Sequence, residues 1–126
     1  MFLSINQHDN RPLYLQIIIQ IKEQVGNGTL KPGDELPSVR EVADSLGINL
    51  HTVRSAYLKL RDQGIINLHL GRRARIAKRL PQKHLDLETD IQKRLQELIT
   101  DALVRGIQPD DLRKLINRQL EQLKKE

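Results

Sequence analysis

The stretch from residue 36 to residue 66 most constrains what this 126-residue chain can fold into. It contains two short amphipathic helical patterns, separated by Leu46-Gly47-Ile48-Asn49, which has the length and chemistry of a helix-turn-helix turn. A basic stretch that includes Arg72 and Arg73 follows the second pattern. Because a helix can lie in the major groove while a basic loop follows the backbone, this arrangement indicates a DNA-binding unit.

A further helix is predicted before this unit, from about Pro12 to Val25, after a short extended arm over residues 1–10. Its apolar positions recur about every four residues and predict one buried face: Leu13, Tyr14, Ile17, Ile18, Ile21 and Val25. Residues 30–37 are rich in proline and glycine and predict a turn-rich connector.

Capping signals mark the ends of the two central helices. Ser38 and Glu41 form a capping-box pattern at the start of the second helix, and Gly47 is suited to end it. Asn49 is a favourable N-cap for the third helix, which we expect to end at Gly64.

A β-hairpin is predicted after the third helix. Residues 65–70 alternate weakly in polarity, residues 74–77 can pair back with them, and residues 71–73 would form the tip. The predicted fold class is therefore mostly α with a small β-hairpin wing, in which residues 1–81 form a winged helix-turn-helix domain.

Residues 82–126 predict a two-helix hairpin, with one helix over about residues 86–105 and another that opens at residues 108–111. A hairpin of this size cannot bury both apolar stripes on itself, so it packs on the winged unit or pairs with a second copy. We expect a dimerisation segment that associates through Ile91, Leu95, Leu98, Leu103, Leu112, Ile116 and Leu120.

The charge is concentrated where a DNA-binding surface would lie. The chain carries a formal charge of +5, and residues 50–81 hold eight Lys and Arg against a single acid, Asp62. The chain has no cysteine, no apolar run approaching 18 residues and no signal-peptide pattern at its start. We therefore expect a cytoplasmic protein without a membrane span.

The start of the third helix supplies the candidate base-contacting residues. His51 and Arg54 can donate to guanine acceptors, while Asn49 and Thr52 can reach phosphates or base edges. A helix-start role that satisfies the backbone is an equally good interpretation of Thr52. Two more candidates are Ser55 on the same helix and Arg40 on the preceding one.

The predicted wing supplies further candidates. Gly71 would let the backbone approach the sugar-phosphate closely, and Arg72, Arg73 and Arg75 would neutralise phosphates or enter a minor groove. A solvated basic turn is the competing interpretation. No catalytic motif, phosphate-binding glycine loop or metal-ligand spacing is found, so we expect neither an enzyme nor a bound cofactor or metal.

Ordered motifs over residues 12–77 resemble the GntR family of bacterial transcription regulators. They are Pro12-Leu-Tyr-Leu-Gln-Ile17, Gly28-Thr-Leu-Lys-Pro-Gly-Asp-Glu-Leu-Pro-Ser-Val-Arg-Glu-Val-Ala43, Leu46-Gly47, Thr52-Val-Arg54, Ala56-Tyr57, Leu60 and Gln63-Gly-Ile-Ile66. The short helical tail is similar to the YtrA-like subfamily, in which these helices dimerise the protein. The resemblance implies DNA contacts by Ser38, Arg40, Thr52, Arg54 and Gly71.

The sequence departs from the family pattern at three places. His51 stands where many relatives carry Asn or another polar residue, and Leu50 where Arg or Pro is common. The wing sequence Leu70-Gly-Arg-Arg-Ala-Arg-Ile76 replaces the usual Gly-x-Gly-Thr-Phe-Val ending. The DNA-reading position is therefore better defined by the sequence than the operator that it reads.

The predicted function is a homodimeric repressor that binds a palindromic double-stranded operator. The alternative is a winged-helix module that docks a protein partner and assembles through its helical tail. A small-molecule effector is compatible with the first interpretation, although no pocket for it can be derived from the sequence.

Overall fold

The computed structural model describes residues 1–69, 71–80 and 85–124, and their side chains except those of residues 85–87. Within these ranges the elements are α1 (Leu13–Gly26), α2 (Val39–Leu46), α3 (Leu50–Asp62), β1 (Ile66–Asn67), β2 (Arg75–Ile76), α4 (Leu85–Val104) and α5 (Pro109–Lys124). The predicted fold class, mostly helical with a small β-hairpin, is confirmed. Leu70 and Pro81, predicted to end the first strand and to close the winged unit, lie outside the described residues.

The chain divides into two compact units, Met1–Pro81 and Gln82–Glu126. In the first unit α3 is the central helix, since both α1 and α2 pack against it. Its side chains Val53 and Leu60 are fully buried, as is Ile17 from α1. The predicted buried face of α1 is confirmed at its centre, whereas Tyr14 in its first turn is 40% exposed.

The caps of α2 and α3 shape the turn between them. Ser38 Oγ accepts a 3.1 Å hydrogen bond from the Glu41 amide, and Asn49 Oδ1 accepts one of 2.7 Å from the His51 amide. Gly47 ends α2 at φ 66°, in the left-handed region that glycine adopts without steric cost. These three predicted caps are confirmed.

The wing hairpin has the predicted partners and a third segment beside it. β1 pairs antiparallel with β2, placing Ile66 opposite Ile76. Residues 33–36, which were predicted only as a connector, form hydrogen bonds to the other edge of β2 and to Ala74, the residue before it. Three backbone hydrogen bonds of 2.8 to 2.9 Å join them: Gly33 N to Ile76 O, Ile76 N to Asp34 O, and Leu36 N to Ala74 O.

The extended segment of residues 1–6 is held along α1 by a row of three glutamines. Gln24 accepts from Phe2 N at 3.1 Å and donates to Phe2 O at 2.5 Å. The same two-way pairing joins Gln20 to Ser4, at 2.9 and 2.7 Å, and Gln16 to Asn6, at 3.0 and 3.2 Å. We call Gln16, Gln20 and Gln24 the glutamine ladder.

The glutamine ladder forms because the spacing along the helix nearly matches the spacing along the extended segment. Four residues of helix rise about 6 Å, and two residues of an extended chain advance about 6.6 Å. Successive glutamines, four residues apart in the helix, therefore pair with residues that are two apart in the extended segment. The intervening side chains, Met1, Leu3 and Ile5, are half-buried and pack against the core of the first unit.

The second unit is a pair of helices joined by a tight turn. Ile107 N donates to Ala102 O and Gly106 N to Leu103 O, the hydrogen bonds of a Schellman motif at the end of α4. Asp110 and Asp111 lie in the first turn of α5, where the helix dipole favours negative charge. In the described ranges, no helix is both long and apolar enough to cross a membrane.

Candidate nucleic-acid interface

One side of α3 presents polar and basic side chains to solvent. His51, Arg54 and Ser55 are exposed and Thr52 is half-buried, whereas Val53 is fully buried against the core. We call His51, Thr52, Arg54 and Ser55 the recognition face. The structure thus brings these four predicted residues together at the N-terminal half of one helix.

The side chains of Asn49 and Ser38 serve as helix caps, and this limits what they can offer a ligand. Each uses an oxygen to accept a backbone amide. The Asn49 amide group and the Ser38 hydroxyl hydrogen are still donors, and phosphate oxygens accept from such groups. Both residues can therefore cap a helix and contact a backbone phosphate at the same time.

Arg40 and Arg54 are the arginines of α2 and α3 that carry no ion pair within the described residues. Both side chains are exposed, Arg40 in the first turn of α2 and Arg54 on the recognition face. Their guanidinium groups are available to phosphates or base edges without the loss of an internal partner.

Two of the three wing arginines are paired with acids of their own domain. Arg73 donates to both carboxylate oxygens of Glu41, at 2.6 and 3.2 Å. Arg75 donates to Glu35 at 2.5 Å and to the Gly33 carbonyl at 3.0 Å. Arg72 has no ion pair with any residue that the structure describes.

The Arg73–Glu41 pair keeps both groups charged. The hydrogen bond from Arg73 lowers the pKa of the Glu41 carboxyl, and the bond to Glu41 raises the pKa of Arg73. The two charges largely cancel at a distance. The sequence predicted that Arg72, Arg73 and Arg75 act alike, but the structure separates Arg72 from the other two.

Tyr57 fixes α3 against the chain that leads into α2. Its hydroxyl donates a 2.6 Å hydrogen bond to the Pro37 carbonyl, and the side chain is 1% exposed. Burial raises the pKa of the Tyr57 phenol. A buried, neutral tyrosine of the same helix therefore helps to position the recognition face.

Sequence reasoning missed Arg61 and His69, which line a cleft with Arg54 between α3 and the wing. Arg54 and Arg61 are seven residues apart, a spacing that places two side chains on one helix face. That spacing was visible in the sequence. The approach of His69 to this cleft depends on how the hairpin folds, and no sequence pattern indicated it.

The predicted dimerisation residues are largely uncovered in the single chain. Ile91, Leu95, Leu98, Leu103 and Leu120 are between 45% and 57% exposed, and Leu112 and Ile116 are half-buried. In the same described portion, no cluster of three or more His, Asp or Glu side chains suited to a metal ion is found.

Three packed helices, an exposed recognition face and a β-hairpin wing define a winged helix-turn-helix DNA-binding protein. The family described as "Bacterial regulatory proteins, gntR family" matches residues 13–76. The chain belongs to this GntR family, so it is a DNA-binding transcription regulator and not an enzyme. The family assignment favours DNA over the alternative of a protein-docking module.

One relative matches almost the whole chain. The HTH-type transcriptional repressor YtrA of Bacillus subtilis (strain 168) is 37% identical over 115 residues, which are 90% of this chain and 88% of YtrA. The chain is therefore similar to a YtrA-type regulator through both of its units.

Solved structures agree with this assignment. The transcriptional antiterminator from Listeria monocytogenes EGD-e superposes with a TM-score of 0.88 at 30% identity, covering 98% of this chain and 93% of its own. YtrA from Sulfolobus acidocaldarius, a GntR-family transcription factor, has a TM-score of 0.57 at 34% identity, covering 95% and 97%.

Proposed function

We propose that this protein is a cytoplasmic homodimeric repressor that binds a two-fold related DNA operator. The observation that carries the proposal is the exposed recognition face beside a wing whose tip residue, Arg72, has no ion pair in the described part of the chain. In this proposal Met1–Pro81 binds DNA and Gln82–Glu126 dimerises.

The recognition face enters the major groove and reads bases. His51 and Arg54 donate to guanine N7 or O6, the most common specific contact of basic side chains. Thr52 and Ser55 add hydroxyl contacts from the same helix. The DNA backbone is held from the flanks by Ser38, Arg40 and Asn49, and by Gly71 and Arg72 of the wing.

Dimerisation through α4 and α5 is supported by the apolar side chains that these helices leave in solvent. Leu98 is 57% exposed and Ile91 is 53% exposed, and both belong to α4. A second copy would cover the same surface reciprocally, as two-fold interfaces require. Residues 82–126 hold nine basic and nine acidic residues, so net charge does not oppose this association.

Repression is supported by a regulator whose sequence matches most of this chain. The YtrA of Bacillus subtilis is named a transcriptional repressor and is 37% identical over 90% of this chain. A dimer that occupies a promoter operator blocks RNA polymerase by exclusion. The similar Listeria protein is named a transcriptional antiterminator, and antitermination would appear as increased read-through instead.

The proposal is tested by selecting duplexes from a random pool with the full chain. We expect two inverted half-sites whose centres lie about 34–36 Å apart, or a multiple of that distance. A single half-site without symmetry would contradict the dimer. In vitro transcription from a template carrying the selected site should then show fewer initiated transcripts, whereas increased read-through would contradict repression.

A further inference from the structure

A cleft of about 340 Å³ opens between α3 and the wing. Its polar lining consists mainly of the nitrogen-bearing side chains Arg54, Arg61 and His69, and no carboxylate lines it. Apolar side chains, among them Val39, Leu58 and Leu68, form much of the remaining wall. This combination of donors above an apolar wall suits an anion that is attached to an apolar group.

The cleft adjoins the recognition face. Arg54 belongs to both, and Arg61 follows it two helical turns later, about 10 Å along the helix axis. His69 approaches from the wing side, after β1, and its carbonyl accepts the Arg72 amide at 3.1 Å. The mouth of this cleft therefore lies beside the surface that a duplex on the recognition face would occupy.

Arg61 is available to a phosphate because its internal ion pair is weak. Arg61 donates only to one oxygen of its neighbour Asp62, at 3.1 and 3.3 Å, and both side chains are exposed. Exposed pairs of this kind add little stability and are easily exchanged. Arg73, by contrast, binds both oxygens of Glu41.

We propose that this cleft binds one phosphodiester group of the bound duplex, with Arg61 and His69 as its ligands. A guanidinium group presents paired donors that match phosphate oxygens, and either form of imidazole offers an N–H donor. The apolar wall would receive the adjoining deoxyribose. This inference rests on the proposed DNA binding and extends it to two residues outside the helix-turn-helix motif.

The test compares Arg61→Ala and His69→Ala with Lys59→Ala in the full chain. Lys59 is an exposed cation of α3 that does not line the cleft, so its removal controls for a general loss of positive charge. Binding is measured by fluorescence titration on the selected operator and on unrelated duplex, at several salt concentrations. Circular dichroism confirms that each variant is folded.

Each phosphate contact contributes about 0.9 to the slope of log affinity against log salt. Arg61→Ala should lower the slope by about this amount, with a similar loss of affinity on operator and on unrelated duplex, and Lys59→Ala should lower it less. An unchanged slope in both cleft variants, with salt-dependent binding retained by the unmodified protein, overturns the cleft alone. Lack of duplex binding by the unmodified protein overturns this inference and the proposed function together.

Discussion

Arg73 and Glu41 are 32 residues apart in sequence and form a two-pronged ion pair that joins the wing to the first turn of α2. The pair orients the wing relative to the helix-turn-helix without adding net charge. The positive charge that the wing tip offers to DNA is therefore concentrated on Arg72.

Of the wing arginines, Arg72 should supply the phosphate contact of the wing tip. Arg72→Ala should lower the salt slope of DNA binding by about 0.9, because one phosphate contact is lost. The double variant Glu41→Gln with Arg73→Gln removes a neutral pair and should leave the slope unchanged. Both are measured by titration on one operator at several salt concentrations. A slope that falls in the double variant as far as in Arg72→Ala would contradict the distinction.

Arg54 should be a base-reading residue. Arg54→Ala is expected to weaken operator binding by about 1–3 kcal/mol, because a good base contact is worth this much. Fluorescence titration on the selected operator measures the loss. Arg113→Ala is a suitable control, since Arg113 is an exposed arginine of α5 that pairs with Asp110. Equal affinities for the Arg54 variant and the unmodified protein would remove Arg54 from the interface.

The glutamine ladder should stabilise the extended segment locally. Gln20→Ala removes both hydrogen bonds to Ser4, each worth about 0.5–1.5 kcal/mol. The amide of Ser4 should then exchange with solvent faster, as measured by NMR hydrogen exchange. Gln7 is an exposed glutamine outside the ladder, and Gln7→Ala serves as the control. Unaltered Ser4 protection in the Gln20 variant would show that the segment is held by other contacts.

Tyr57→Phe should lower the free energy of unfolding by about 1–3 kcal/mol, because the Pro37 carbonyl loses its donor. Since burial raises the pKa of Tyr57 above its reference of 10.0, the folded state holds this proton more tightly than the unfolded state. The resulting stability is present below pH 10 and is lost as the pH rises further.

Denaturant unfolding at pH 8 and at pH 10.5 tests this for Tyr57→Phe and the unmodified protein. The difference between the two proteins should be smaller at the higher pH. A difference that grows with pH would contradict the sign of the shift.

Leu98→Asp should convert the protein to a monomer. A carboxylate at the centre of the proposed α4–α5 interface would be buried without a partner on association. Light scattering coupled to size exclusion reports the mass. Thr100→Asp introduces the same charge at an exposed polar position of α4 that lies outside the predicted dimerisation set. A dimeric mass for the Leu98 variant would show that Leu98 does not lie in the dimer interface.

Local chemistry made the helix-turn-helix predictable. Ser38, Gly47 and Asn49 each act within a few residues of themselves, so the caps that the sequence indicates are the caps found. The hairpin was predictable for the same reason, because β1 and β2 are neighbours in sequence and Ile66 and Ile76 share one face.

The interactions that the sequence did not reveal join distant segments. Glu35 meets Arg75 only because residues 33–36 lie along β2, across 40 residues of intervening chain. The glutamine ladder was hidden for a similar reason. Gln16 is 4% exposed, yet its spacing in α1 is that of an ordinary polar face, and its partners are peptide groups that carry no sequence signal.

The glutamine ladder binds main-chain amides and carbonyls, so its hydrogen bonds do not involve the side chains at positions 2, 4 and 6. Phe2 is 81% exposed, and Ser4 and Asn6 also point outward. Substitution at positions 2 and 4 should be tolerated by any residue except proline, which lacks the amide that each glutamine accepts from. Asn6 differs, because its side chain also accepts a hydrogen bond from the His8 amide. Among relatives, the sequence should therefore vary more at the exposed positions of this segment than at the half-buried positions between them. The exposed positions can also carry a spectroscopic label.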